Sequence, residues 1–437
     1  MQDSSPALAE TALPGARVPG EPVLFRLSAM SRAVLMAMLL AMLLFATAQH
    51  MGGLFGKDPL FLDFNVFYMV GEYVWQGRVA ETYDFGLFAP AQDAVNGPDQ
   101  GFMPWTYPAQ MDLFVALLAL LPRWLAYFAF AAGSLAGFLW VLKRLAGVHF
   151  DAALVLVLPA LMVTLLTGQN GMMTAALVGS YALLALRGTG SGSGTGSGTG
   201  SGSAGVPLGL MAIKPHLAVG LALHALMTGR WKVLAVSVAV TLAAVAAATL
   251  AFGPGIWAVV AQSARDSGTY LAEGRYPLFR MSSVYAGLRN SGASADLAFA
   301  AQASVAALAL GLVAALALRR WQPRRLLGVA LLSSYAVSPY NYDYDLCALG
   351  MALALLLPDA ARFAGVGGKI ALAVCCWSAC GLAVFGASVP GRFDSLMAAL
   401  SMRGEFPSIA TLGYLGAFGL LLCYAVKGER AAGAGTY

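Results

Sequence analysis

Four groups of residues in this sequence are of types that do chemistry: Asp63, the pair Gln169 and Asn170, the triplet Lys214-Pro215-His216, and the run "SPYNYDYD" from Ser338 to Asp345. A carboxylate held beside apolar surface is a candidate proton acceptor, because loss of solvent tunes its basicity. An ammonium, an imidazole and a guanidinium near it would bind an anion, and the forked guanidinium suits phosphate. Arg265, Arg275, Arg280 and Arg289 lie together in a further polar stretch, 253–296. These groups are far apart along the chain, so joint chemistry requires the fold to gather them.

Each group also has a plain structural reading. In "DFNVFYMVGEYVWQGRVAETYD", Phe64, Phe67, Tyr68, Gly71 and Trp75 share one face of a helix, and Asp63 would cap it. Glu72, Glu81 and Asp84 read as solvated or structural. "TGQNG" over 167–171 would be a polar turn. Lys214 would snorkel to an interface. Asp343 and Asp345 would bond helix ends, and Tyr340, Tyr342 and Tyr344 would sit in an interfacial aromatic belt. The arginines would meet lipid headgroups, or Asp266 and Glu273 within their own loop.

The elements that must position these residues are membrane helices. The chain has 437 residues, 59% hydrophobic and 11% charged, with mean hydropathy +0.72. A soluble protein carries roughly a quarter charged residues. Long apolar runs recur, so the fold class is an all-α polytopic membrane protein. The net charge of +5 suits basic cytoplasmic loops and gives no reason to expect nucleic acid. Cys347, Cys375, Cys376, Cys380 and Cys423 lie in apolar runs and read as small core residues. There is no Walker loop, no dinucleotide fingerprint and no His/Cys spacing for a metal, so neither cofactor nor metal is expected.

The Lys/Arg bias orients the spans. Residues 1–28 read as a disordered cytoplasmic tail, followed by a first span near 31–50 with Arg26 and Arg32 at its inner end. The loop to about Tyr107 is then outside, and 108–121 stays at the outer surface as a short or re-entrant segment. Spans follow near 124–142, 150–167 and 171–187. A flexible Gly/Ser/Thr linker covers 188–205. Lys214 and Pro215 in an apolar run call for two half-spans meeting at the outer side. Later spans fall near 231–252, 297–318, 326–339, 345–358, 369–388 and 408–426, with Arg319, Arg320, Arg324 and Arg325 marking an inner loop. The count is about twelve passages, with juxtamembrane helices on the outer face. The chain divides into 29–296 and a C-terminal transmembrane module, 297–430. On this topology all four polar groups reach the outer face. A transporter or lipid flippase would also need many spans, but would carry polar groups at several depths.

The motifs in order resemble glycosyltransferase family 87, of the GT-C superfamily. They are "DFNVFYMVGEYVWQGRVAETYD", "FMPWTYPAQMDLFVALLALLP", "GQNGMMTAAL", "LGLMAIKPHLAV", "RMSSVYAGLRNSG" and "SPYNYDYDL", spread over about 29–355. Ala109 replaces a proline of the second, and Tyr344 and Asp345 stand where some members have histidine. The resemblance implies a GT-C fold and an inverting, metal-independent transfer of a sugar, typically mannose. The donor would be a polyprenyl-phosphate sugar, and the acceptor a lipid or glycan at the outer face of a membrane, here the inner membrane of a bacterium. It implies Asp63 as general base. Lys214, His216 and Arg280 are then the candidates for the donor phosphate. Tyr68, Gln169, Asn170, Asp343, Tyr344 and Asp345 are candidates for substrate contact, with Tyr68 and Trp105 stacking on sugar.

Overall fold

The computed structural model describes residues 22–51, 63–96, 102–187, 202–381 and 408–434. Most of the expected tail, most of the Gly/Ser/Thr linker and the end of the 369–388 span lie outside the described residues. Within them the chain is all-helical, with one isolated antiparallel bridge between Met281 and Tyr342.

Helix α1 (Ala29–Gln49) starts at Ser28, whose Oγ accepts the Ser31 amide at 3.0 Å, a serine cap. Helices α2 (Asp63–Trp75), α3 (Phe85–Asn96) and α4 (Gln110–Leu118) are short, and α5 (Arg123–Ala146) is long. The expected span over 150–167 is instead two helices, α6 (Phe150–Leu156) and α7 (Leu158–Thr167). Pro159 has no amide to offer the Val155 carbonyl, which accepts the Trp377 indole at 3.0 Å instead. Next come α8 (Gly171–Arg187), α9 (Gly205–Leu210) and α10 (Val219–Met227), the last two separated by tight 3₁₀ turns on either side of Lys214. The remainder is α11 (Trp231–Phe252), α12 (Ile256–Ala272), α13 (Val284–Asn290), α14 (Ala295–Leu318), α15 (Pro323–Val337), α16 (Cys347–Phe363), α17 (Val366–Cys380) and α18 (Ile409–Ala434).

Six helices among the described residues are long and apolar enough to cross a membrane, and five shorter ones are apolar. The nine residues of α4 rise only about 14 Å, too little to cross the roughly 30 Å hydrocarbon layer. The long helices differ in what surrounds them. The most apolar window of α11 is 11% buried inside the protein, while that of α16 with the turn before it is 78% buried. Helix α11 therefore offers its leucines and valines to lipid, and α16 is the core. Cys347, Cys376 and Cys380 are buried as expected, whereas Cys423 is exposed on α18.

Close approaches fix helix direction. Gly137 lies against Ala176, and Gly179 against both Val141 and Met351, so α5, α8 and α16 run parallel. Gly205 meets Val233 and Gly209 meets Val240, so α9 runs parallel to α11. Helices α17 and α18 run antiparallel, with Gly413 against Ala379 and Gly368 against Tyr424. The bundle thus has two distinct ends. At one, Arg324 and Arg325 in the first turn of α15 meet Asp359 near the end of α16, and Arg325 also meets Glu429 of α18. At the other, the last turn of α15 leads into the segment 338–346.

Candidate active site at one end of the bundle

Asp63 is the first described residue of α2, and Phe64 behind it is fully buried. Helix α7 ends at Gly168 in the left-handed region, φ +71°, and a Cβ there would sit 2.5 Å from the Phe64 Cβ. Only glycine permits both the turn and the approach. The consequence is that Gln169 stands beside Asp63. Gly171 is pressed as tightly, its missing Cβ falling 2.0 Å from the Tyr344 carbonyl oxygen. That contact holds the start of α8 against the 3₁₀ turn Asp343–Leu346.

Arg280 is carried on the segment between α12 and α13. The Met281–Tyr342 bridge and the Ser282 amide, which donates to the Asn341 carbonyl at 3.0 Å, hold this segment to 338–346. The Ser283 hydroxyl donates to the Pro339 carbonyl at 2.7 Å. So fixed, Arg280 makes a forked pair with buried Asp343: Nε to Oδ2 at 3.0 Å and Nη2 to Oδ1 at 3.0 Å. Lys214 sits at the break between α9 and α10 with φ −141° and ψ 69°. Its Nζ is 2.7 Å from Asp345 Oδ1, and it lies 4.8 Å from the Tyr344 ring centroid and 5.8 Å from that of Tyr107. The half-span expectation thus places Lys214 at a true helix break, with a carboxylate as partner rather than open solvent.

Asp63 differs from the two other aspartates: it makes no ion pair within 4 Å among the described residues. Burial raises its carboxyl above the ordinary range. The charges of Arg280 and Lys214 and the Gln169 side chain oppose that rise, and the Asp343 carboxylate adds to it. Arg280, buried against Asp343 and near Asp63, is held firmly charged. The site therefore holds two cations and three carboxylates within mutual electrostatic range. Asp63 is the one of the three without an ion pair among the described residues; the Gln169 side chain is its hydrogen-bond neighbour.

Gln169 Oε1, Asn170 Oδ1 and His216 Nε2 are buried atoms without a hydrogen-bond partner. Buried polar atoms in native structures are nearly always paired, so these open atoms are available to a polar ligand. Asn170 Nδ2 donates to the Tyr107 hydroxyl at 3.0 Å. Tyr342 and Tyr344 stack with ring centroids 5.3 Å apart, and Tyr340 and Tyr276 continue the aromatic wall edge-on.

The structure thus gathers Asp63, Gln169, Asn170, Lys214, Arg280, Asp343, Tyr344 and Asp345, and it places half-buried His216 two residues beyond Lys214. Tyr68 faces elsewhere: its hydroxyl donates to the Leu121 carbonyl at 3.0 Å and its ring carries Arg123. Trp105 is fully buried, and its indole donates to Asp112 Oδ1 at 2.8 Å. The other arginines of the 253–296 stretch are engaged locally. Arg275 pairs with Glu273 at 2.7 Å, Arg265 bonds Gln262, and Arg289 bonds the carbonyls of Ala272 and Ala293. Tyr107 and Asp112 were not among the sequence candidates. Both lie in the quoted "FMPWTYPAQMD" stretch, but nothing in one chain ranks them above its other aromatics and acids. Asp112 also accepts the Tyr83 hydroxyl at 2.8 Å, and burial pushes its carboxyl up to about 7. No group of three metal-ligating side chains forms among the described residues.

The family model for glycosyltransferase family 87 matches residues 105–339, more than half of the 437-residue chain. The chain belongs to glycosyltransferase family 87. No curated protein and no solved structure matches it. In this family-87 chain the matched segment carries Gln169, Asn170, Lys214, His216 and Arg280. Asp63 precedes it, and Asp343, Tyr344 and Asp345 follow it. Family membership and the apolar helices together make this an integral-membrane glycosyltransferase.

Proposed function

We propose that the protein moves a sugar, mannose on the family resemblance, from a polyprenyl-phosphate donor to a lipid or glycan acceptor at the outer face of a bacterial inner membrane. The reading is of a GT-C-type enzyme, inverting and metal-independent. One observation carries it: Asp63 stands beside Arg280 and Lys214 with no ion pair of its own among the described residues, in a site that has buried acceptors left open.

The acceptor hydroxyl is far too weak an acid to lose its proton in advance. Asp63 takes that proton as the oxygen attacks the anomeric carbon, a contribution worth about 10²–10⁴-fold. The bond from the anomeric carbon to the phosphate oxygen breaks, and its electron pair leaves on the lipid phosphate. Arg280 and Lys214 offset that charge. Each spends only part of its donor set on its aspartate, since guanidinium has five N–H groups and ammonium three. His216 lies next to them. Asn170 and Gln169 offer open oxygens to sugar hydroxyls, and Asp343 and Asp345 hold the cations in place.

The same reading puts this end of the bundle outside and the Arg324/Arg325 end in the cytoplasm, by the bias of Lys and Arg. The six long helices, the five shorter apolar ones and α15 would then make up the twelve passages, with both termini cytoplasmic. The test is transfer of label from polyprenyl-phosphate mannose into a lipid extract by purified protein in detergent. A new labelled glycolipid with the native chain, and none with a folded Asp63→Asn variant, supports the assignment. Equal transfer by both removes Asp63 from the chemistry. No transfer by the native chain with any polyprenyl-phosphate sugar overturns the donor.

A further inference from the structure

A second polar site lies at the far end of α1, about one membrane thickness from Asp63. The 21 residues of α1 rise about 31 Å. At its C-terminal end His50 stacks on Tyr127, 4.5 Å between ring centroids, and meets Phe64 edge-on, so this end borders Asp63. At its N-terminal end a cavity of about 380 Å³ is lined by Arg26, Arg32, Lys143, Gly147, Val148, Phe150 and Asp151.

The charges in this cavity do not cancel. Its one carboxylate, Asp151, is buried and fully engaged. Arg32 donates through Nε at 2.9 Å and Nη2 at 2.6 Å, and the Leu27 amide donates at 3.1 Å. That fork neutralises Arg32 and fixes the start of α1 to α6. Arg26 and Lys143 remain, exposed and without an ion pair among the described residues. They come from two different chain segments, one ahead of α1 and one in the last turn of α5, and line a cavity to which Val148 and Phe150 also contribute. Both α1 and the stretch Arg123–Leu156 are helices long and apolar enough to cross a membrane. The two cations sit just ahead of α1 and in the last turn of α5, where these helices end, which puts the cavity at headgroup depth with apolar side chains in its lining.

We propose that this cavity binds the phosphate headgroup of an anionic membrane lipid, held by Arg26 and Lys143, in the leaflet opposite the Asp63 site. The mixed lining favours a lipid over a free anion: Val148 and Phe150 receive the glycerol and upper acyl carbons, and the cations receive the phosphodiester. Basic pockets between transmembrane helices act in this way by charge and depth together. Arg32 has a positioning role, holding the wall of the cavity through Asp151.

The test is thermal unfolding of the full chain in detergent, titrated with dioleoylphosphatidylglycerol, dioleoylphosphatidylcholine or inorganic phosphate. Phosphatidylglycerol alone should raise the midpoint in a saturable way. In an Arg26→Gln/Lys143→Gln variant the half-saturating concentration should rise at least about tenfold, as expected for two cations near a lipid surface. Arg144→Gln, an exposed cation next to Lys143 that does not line the cavity, should titrate like the native chain. An equal response to phosphatidylcholine overturns the proposal, as does an unchanged titration in the double variant. Inorganic phosphate raising the midpoint as far as the lipid would assign the cavity to a soluble anion instead. Both substituted side chains are exposed, so the variants keep the fold; the Arg144→Gln control reads any general loss of charge.

Discussion

The two ends of the bundle both bury charge, and they do it differently. At the Arg324/Arg325 end the books close: two guanidiniums face two carboxylates. Arg325 is bonded to Asp359 at 3.0 Å and to Glu429 at 2.9 Å, and Arg324 is bonded to Asp359 at 2.9 Å and to the Leu355 carbonyl. Every carboxylate there has a cation, and the cluster ties α15, α16 and α18 together. At the Asp63 end two cations face three carboxylates, and only two of those are paired. The third, Asp63, has no ion pair among the described residues, and burial raises its carboxyl. Charge burial alone therefore does not mark a reactive site; an imbalance, with open hydrogen-bonding atoms beside it, does.

The largest expected effect separates the two ends directly. Asp63→Asn should lower sugar transfer by about 10²–10⁴-fold and leave thermal unfolding nearly unmoved, because no ion pair is lost. The paired experiment is Asp359→Leu, which removes the carboxylate that Arg324 and Arg325 share and leaves Arg325 with Glu429. It should destabilise by about 3–5 kcal/mol, seen as a lower unfolding midpoint, while transfer per folded molecule holds. If Asp359→Leu were neutral in stability and Asp63→Asn unfolded the protein, the contrast between the ends would be reversed.

A smaller effect is expected at Asp112, which is buried and bonded yet lies outside the charge cluster. Asp112→Leu leaves the Trp105 indole without its acceptor and the Tyr83 hydroxyl with the Tyr107 carbonyl alone, costing about 1–3 kcal/mol on unfolding, whereas Asp112→Asn keeps an acceptor and should cost less. Its folded pKa of about 7 stands above the ordinary 3.8, so the folded state binds the proton more tightly. Its contribution to stability is therefore full below about 4 and is lost as pH rises through about 7. Unfolding midpoints of the native chain and Asp112→Asn, followed across that window, should diverge at the upper end. Coincident curves would remove Asp112 from the balance.

The smallest effect sharpens the electrostatics of the site itself. Ionised Asp63 is favoured by Arg280 and disfavoured by Asp343. A general base must be ionised, so transfer should fall as pH drops through its raised pKa. Arg280→Gln should move that acid limb to higher pH, in addition to weakening donor binding. Asp343→Asn should move it to lower pH. Rate–pH profiles that do not separate in these directions would show that Asp63 does not set the limb.

Much of this site is legible in the sequence. Lys214 stood out because an ammonium beside a proline in an apolar run forces a helix break, and the break is there. Asp343 and Asp345 stood out as acids inside an apolar C-terminal half. Tyr68 and Trp105 read from the sequence as aromatics that stack on sugar, and a single chain does not reveal which way an aromatic ring turns. Tyr107 was overlooked for the matching reason: its part depends on Asn170 and Lys214 reaching it from other helices. Arg280 is first among the four arginines of the 253–296 stretch as a candidate for the donor phosphate, and charge pattern alone does not separate it from Arg265, Arg275 and Arg289. What separates it physically is the Met281–Tyr342 bridge, which joins residues 61 positions apart in the chain.

Composition and hydropathy by themselves determined that this chain is helical and membrane-embedded, since apolar runs of this length leave the backbone no other way to satisfy its polar groups. They also determined the positions of most helices and the residue types able to act. The tertiary structure decided which charges meet. Pairing depends on distances of a few ångströms between residues remote in sequence, and Coulomb energy in a low-dielectric interior changes steeply over that range. Lys214 finds Asp345, Arg280 finds Asp343, and Asp63 has Gln169 beside it but no cation paired to it among the described residues.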